Sequence, residues 1–183
     1  MIIGLTGPNA AGKGEVAAWL VARGFTYHSL SDVLRDELTR RRLDPTRENL
    51  IAVGNELRAA SGPGVLAAMI ATKLTGRDAV DSIRNPAEVL VLRQQKGFRL
   101  VGVTAPLPLR FERAQARGRP GDGFSLAVFA AKEARENSPD PSRQQLAATF
   151  KMADHTLDND GSLEDLHQKV ERLLKSIGIQ SQG

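Results

Sequence analysis

Apolar positions along the chain alternate between short unbroken runs and longer stretches at helical spacing. The run Ile2-Ile3-Gly4-Leu5 stops at a glycine-bearing segment and reads as a strand buried on both faces. Val16, Trp19, Leu20 and Arg23 then recur at helical spacing until Gly24, and residues 25–30 form a second, weaker strand. The pattern is helical over 31–42, breaks at Asp44-Pro45, and resumes behind Thr46 as a helix cap up to Gly62-Pro63-Gly64; a third helical stretch covers 65–74. Residues 79–83 are a short strand. Asn85, Pro86 and Glu88 make a strong helix start, and that helix stops at Gly97. The clearest strand is 98–103, followed by a helix from Pro108 to Gly118. The stretch 117–123 is loop-like, rich in glycine and charge. Helical patterns over 125–137 and 142–152 precede a last strand at 155–157, a turn at Asn159-Asp160-Gly161, and a helix from Ser162 carrying Leu166, Val170, Leu173 and Leu174; residues 180–183 are expected to fray.

Five strands separated by helices, with no pair close enough for a hairpin, require crossover connections. The expectation is an α/β fold, a three-layer αβα sandwich around a five-stranded parallel sheet. At 183 residues this is one domain spanning 1–183, without internal repeat or linker.

Composition narrows the chemistry. The chain has no cysteine, which excludes disulfides, thiolate metal sites and cysteine nucleophiles and points to the cytoplasm. No apolar run approaches the ~20 residues of a membrane span, so no membrane partner is expected. Of 25 basic residues 18 are Arg, the side chain that grips phosphate with a planar fork. Only eight residues are aromatic, too few for a base-stacking stripe, so small phosphorylated ligands are favoured over nucleic acid. His28, His155 and His167 lack metal-ligand spacing.

Gly7-Pro8-Asn9-Ala10-Ala11-Gly12-Lys13-Gly14 fits G-x-x-x-x-G-K between a strand and a helix. Such a loop turns backbone N–H groups around a phosphate at a helix N-terminus, and its lysine reaches the β/γ oxygens. Position 14 is Gly where Ser or Thr would offer a hydroxyl to Mg²⁺.

The G-K-G triplet resembles adenylate kinase and its nucleoside-monophosphate kinase relatives, which hold the metal largely through water. Those kinases continue with Thr; here Glu15 stands, and a carboxylate beside the α-phosphate repels it unless it points away. Residues 2–7 and 153–164 resemble the two ends of dephospho-CoA kinase and of kinase-like proteins related to it. The segment 29–35 is similar to the place where the first family sets an acceptor-phosphate arginine, here Arg35, and the second an Asp that serves as base or metal partner, here Asp32. Val80-Asp81-Ser82-Ile83-Arg84 resembles their third-strand D-G-x-x-R, which implies Asp81 near the metal, through water, and Arg84 on the acceptor phosphate. Arg113 and Arg117 resemble the entry to the kinase lid. The resemblance thus implies ATP and Mg²⁺, a donor site of residues 7–15 with Arg113, Arg117 and Asn159, an acceptor-binding helical insertion at 31–76, and a lid at 117–140 whose Arg117–Arg119 loop closes. It implies catalytic roles for Lys13, Asp32, Arg84 and Arg117, and an acceptor held by Asp32, Arg35, Arg58 and Arg84.

Read without the family, Asp32, Asp81 and Arg84 sit at strand ends, where ligands bind in open parallel sheets. Plainer readings stand beside these: Asp81 as the cap of a turn, Arg113 and Arg117 as a solvated helix face, Arg58 as a surface partner of Glu56, and Arg40 to Arg42 as a helix end favoured by the dipole. The leading expectation is an ATP-dependent phosphotransferase acting on a nucleoside monophosphate or related small nucleotide. The alternatives are a nucleotide-binding sensor without chemistry and a dephospho-CoA kinase-like activity. Oligomeric state and the identity of the acceptor are not encoded in any motif.

Overall fold

A computed structural model describes residues 1–118 and 125–178. Its order is β1 (Ile2–Thr6), α1 (Lys13–Val21), β2 (Thr26–Ser29), α2 (Leu30–Arg41), α3 (Arg47–Ser61), α4 (Val65–Ala71), β3 (Asp78–Asp81), α5 (Pro86–Leu92), β4 (Phe98–Thr104), α6 (Leu107–Arg117), α7 (Leu126–Ala134), α8 (Leu146–Phe150), β5 (His155–Asp158) and α9 (Leu163–Ser176). The five strands form one sheet in the order β2-β3-β1-β4-β5, and every pairing is parallel. The α/β sandwich expected from the alternation is the fold observed.

All five residues of β1 are buried, because this central strand has a neighbour on each side and helices on both faces. Its side chains alternate between two cores. Ile2, with Val80, Leu100 and Phe98, packs against Leu30, Leu34, Leu38, Val53, Leu66, Val89 and Leu92 from α2 to α5. Ile3 and Leu5, with Ala79, Val101 and Val103, pack against Val16 and Leu20 of α1 and Leu166, Val170 and Leu174 of α9.

Local chemistry sets most helix starts. Thr46 caps α3 by accepting from Asn49 N at 3.1 Å, and Asn85 with Glu88 completes a capping box on α5, with Pro86 opening the helix. Ser162 and Asp165 form a second box on α9. Residues 142–152 are helical only over Leu146–Phe150. The shortening is tertiary: Asn85 Nδ2 donates to Pro141 O and Arg143 O, each at 2.7 Å, Gln145 N donates to Arg84 O, and an antiparallel bridge between Asn137 and Gln145 closes the chain ahead of α8 into a non-helical loop. Between β2 and β3 lie α2, α3 and α4, the three helices of the 31–76 stretch. Residues 119–124 of the 117–140 segment, Arg119 among them, and the expected frayed end lie outside the described residues.

Candidate functional site

The loop after β1 is built around backbone that side chains cannot share. Gly7 has φ +135° and Gly12 φ +107°; a Cβ at Gly7 would lie 2.0 Å from Val103 O, and one at Gly12 2.2 Å from Asn159 Nδ2. Gly12 heads α1 with no side-chain cap, so the amides of Lys13 and Gly14, which have no carbonyl of the helix to bond, remain available at the positive end of its dipole. Lys13 Nζ folds back on the loop, donating to Gly7 O at 2.8 Å and Pro8 O at 2.9 Å. Removal from water pushes its pKa down to about 8, against the opposing pull of the Asp81 carboxylate. A Cβ at Gly14 would meet open space, so packing does not impose the missing hydroxyl.

Side chains from α6 and the end of β5 hold this loop. Arg110, 5% exposed, donates to Asn9 O at 3.2 Å and pairs with Glu133. Arg117 Nη2 donates to Asn9 Oδ1 at 3.1 Å, and Arg113 Nη1 to Asn159 O at 3.0 Å. Asn159 Nδ2 in turn donates to Ala11 O at 2.9 Å. The spacing of Arg113 and Arg117, which a solvated face would also explain, therefore puts both guanidinium groups against the loop after β1 or against Asn159, which anchors it.

A single cleft of about 960 Å³ runs from this loop across the carboxyl ends of the strands. Asn9 to Glu15, Arg113, Arg117 and Asn159 line part of it; Tyr27, Ser29, Arg35, Arg47, Asp81, Ser82 and Arg84 line the rest. Asp81 accepts from Tyr27 Oη at 3.4 Å and from Ser82 N at 2.6 Å, while Ser29 Oγ donates to Ser82 Oγ at 3.2 Å. Burial and the nearby Asp81 carboxylate both raise the Tyr27 pKa. Ser82, which lines the cleft, adopts φ +66°, an uncommon conformation for a residue with a side chain.

Gly7 and Pro8, at the start of the loop, do not line the cleft themselves, and two further sequence-derived residues stand elsewhere. Asp32 does not line the cleft; its half-exposed carboxylate is engaged by Arg35 Nη1 at 2.6 Å, one helical turn on. Arg58 is 2% exposed and donates to Glu88 Oε1 through Nε (3.2 Å) and Nη2 (2.7 Å), so it is a buried ion-pair partner rather than a surface contact of Glu56, which binds Arg41. Glu136 escaped the sequence reading altogether. It is 2% exposed and bridges Arg47 and Arg84; burial pushes its carboxyl up, and the two guanidinium groups more than reverse that, leaving it below the usual range. Its partners lie 89 and 52 residues away, and no local pattern marks such a contact.

The donor set suits a hydrated Mg²⁺ bound with a polyphosphate: one carboxylate, Asp81, with the hydroxyls of Ser29 and Ser82 close by. Among the described residues no three His, Cys, Asp or Glu converge to hold a metal alone. No helix among them is long and apolar enough to cross a membrane.

No family model matches the chain. The fold is that of the P-loop kinases. It is shared with shikimate kinase from Bacteroides thetaiotaomicron (14% identity, TM-score 0.61, 96% of this chain and 98% of that one) and gluconokinase from Sinorhizobium meliloti 1021 (16%, 0.54, 96% and 94%). TT1252 from Thermus thermophilus is similar at 25% identity and TM-score 0.59, over 96% of this chain and 97% of that one. In sequence, a UPF0200 protein of Thermococcus gammatolerans is 32% identical over 186 residues, covering 97% of this chain and 95% of its own. Another, from Methanoregula boonei, is 33% identical over 181 residues, covering 96% and 97%. With identity at this level along nearly the whole length of both chains, the protein belongs to the UPF0200 family.

Proposed function

We propose that the protein is an ATP-dependent phosphotransferase whose acceptor is a nucleoside monophosphate or a related small nucleotide. One observation carries this reading: a phosphate loop with its lysine and a group of arginines from other elements share one continuous cleft. Phosphoryl transfer asks little covalent chemistry of a protein and much positioning and charge stabilisation, which is the kit assembled here.

In this reading the amides of Lys13 and Gly14 orient the β-phosphate of ATP, and Lys13 leaves the Gly7 and Pro8 carbonyls for the β/γ oxygens. Arg113 and Arg117 face the donor phosphates. Arg35 and Arg84 hold the anionic group of the acceptor, and Asp81 holds Mg²⁺ through water. When bound, Mg²⁺ would supply positive charge to offset the negative charge of the polyphosphate. The acceptor oxygen attacks the γ-phosphorus in line as the bond to the β-phosphate oxygen breaks, and ADP leaves. The helices of 31–76 act as the acceptor-binding unit and 117–140 as a lid.

An ADP-release assay over the common nucleoside monophosphates and dephospho-CoA tests the reading. Turnover with one of them, lowered about 10²-fold or more by Lys13→Ala, supports it; turnover with dephospho-CoA alone assigns the other kinase class. The exposed Glu15 carboxylate, which lines the cleft beside the loop, favours a second reading, a nucleotide sensor without chemistry. ATP binding with no turnover across the panel selects that one.

A further inference from the structure

Beside the main cleft lies a second cavity of about 80 Å³. Ser31, Arg47, Leu50, Ser82 and Arg84 border both, so it is a side pocket of the proposed acceptor site. Its walls combine aliphatic side chains, Leu34, Ile51 and Leu66 among them, with polar ones, including Arg58, Gln144 and the Glu136 carboxylate that Arg47 and Arg84 already neutralise. At roughly 10–15 Å³ for each water-sized group it has room for about five to eight, the size of a single ring rather than a fused pair.

Two polar atoms on its wall residues are unmatched. Arg58 Nη1 and Gln144 Oε1 are buried without a hydrogen-bond partner, on side chains 2% and 8% exposed. Such groups are costly to leave unpaired and call for an occupant. The occupant's chemistry follows from what each atom already does. Glu88 neutralises Arg58 through Nε and Nη2, and its other carboxylate oxygen accepts from Arg84 N (2.8 Å) and Asn85 N (3.0 Å). Nη1 is therefore a donor on a charge-balanced pair, suited to a neutral carbonyl or ring nitrogen rather than to a phosphate. Gln144 Oε1 requires an N–H. The backbone around Gln144 is fixed, since its carbonyl accepts from Ser138 N at 2.9 Å and the next amide donates to Arg84 O at 2.9 Å.

We infer that this pocket reads the edge of a single-ring base, with Arg58 donating to a ring carbonyl or nitrogen and Gln144 accepting from an adjacent N–H, so that the acceptor is a pyrimidine nucleoside monophosphate. The assignment rests on the kinase reading for the word acceptor, while the pocket is tested by binding alone. Arg58 thereby serves specificity rather than phosphate binding, and the phosphate stays with Arg84, at the border shared by the two cavities, and with Arg35 in the main cleft.

Calorimetric titration of the full chain, without ATP, with cytidine and uridine 5′-monophosphates, adenosine 5′-monophosphate and ribose 5-phosphate provides the test. A pyrimidine nucleotide should bind at least about tenfold more tightly than ribose 5-phosphate and than the adenosine nucleotide, one well-made pair of hydrogen bonds being worth about that factor. Gln144→Leu should remove most of that preference and leave ribose 5-phosphate binding unchanged; Gln144→Met, closer in shape, gives the same readout if the first variant folds poorly. Equal affinity for base-bearing and base-free phosphates, tighter adenosine than pyrimidine binding, or an unchanged preference in both variants overturns the assignment. Base preference without ADP formation removes the kinase reading and keeps the pocket. ADP formation without base preference does the reverse.

Discussion

Lys13 is charged only as far as its surroundings allow. With a pKa of about 8 its ammonium is largely lost above that pH in the free protein, whereas the oxygens of a polyphosphate would restore it. ATP binding at pH 8.5 should then take up a proton, read as a dependence of the calorimetric enthalpy on the ionisation enthalpy of the buffer; binding with no proton uptake would place the phosphates away from this amine. The same shift has a folding consequence. The unfolded chain, with the ordinary value of 10.5, holds more protons than the native state between about pH 8 and 10.5, so this residue's contribution to stability rises with pH across that window. Gly14 offers a second test. Because a side chain there meets open space, Gly14→Ser should fold with equal or slightly greater stability, by about 0.5 kcal/mol, and tighten ATP binding several-fold in Mg²⁺ but not in excess chelator. Of these residues the loop was readable because glycine spacing is dictated by its own backbone. Arg47, Ser82 and Glu136 were not, because their significance arises only when distant segments meet.

Among the elements, what the sequence revealed best was where helices begin. Caps at Thr46, Asn85 and Ser162 are contacts within three residues, and pattern reading sees such contacts. The start of the 142–152 stretch was misjudged for the opposite reason, since the side chain of Asn85 holds the carbonyl of Arg143 from 58 residues away. Arg58 and Glu88 join α3 to the start of α5 by a pair 2% and 0% exposed. Arg58→Ala would strand a buried carboxylate that keeps only backbone donors, and a loss of about 3 kcal/mol is expected in denaturant titration. Arg35→Ala, which breaks a half-exposed pair with Asp32, should cost less than about 1 kcal/mol in the same measurement.

For the whole molecule, alternation of strand and helix was enough to give the parallel sheet, yet not the order in which its strands lie side by side. That order puts β1 in the centre, between β3 and β4, with its whole length buried. A ribosome therefore delivers the middle of the sheet first. At about 5–20 residues per second, β1 waits roughly 5–20 s for the last residues of β4 to follow it, and until then it lacks at least one of its two neighbouring strands. Nascent chains halted with β3 and β4 both still inside the exit tunnel should be cut readily by protease within β1, and chains extended past residue 158 and clear of the tunnel should resist. If the shorter chains resist as well, something other than β3 and β4 shelters the strand; if they do not, a holding chaperone has a defined segment and a defined interval in which to act.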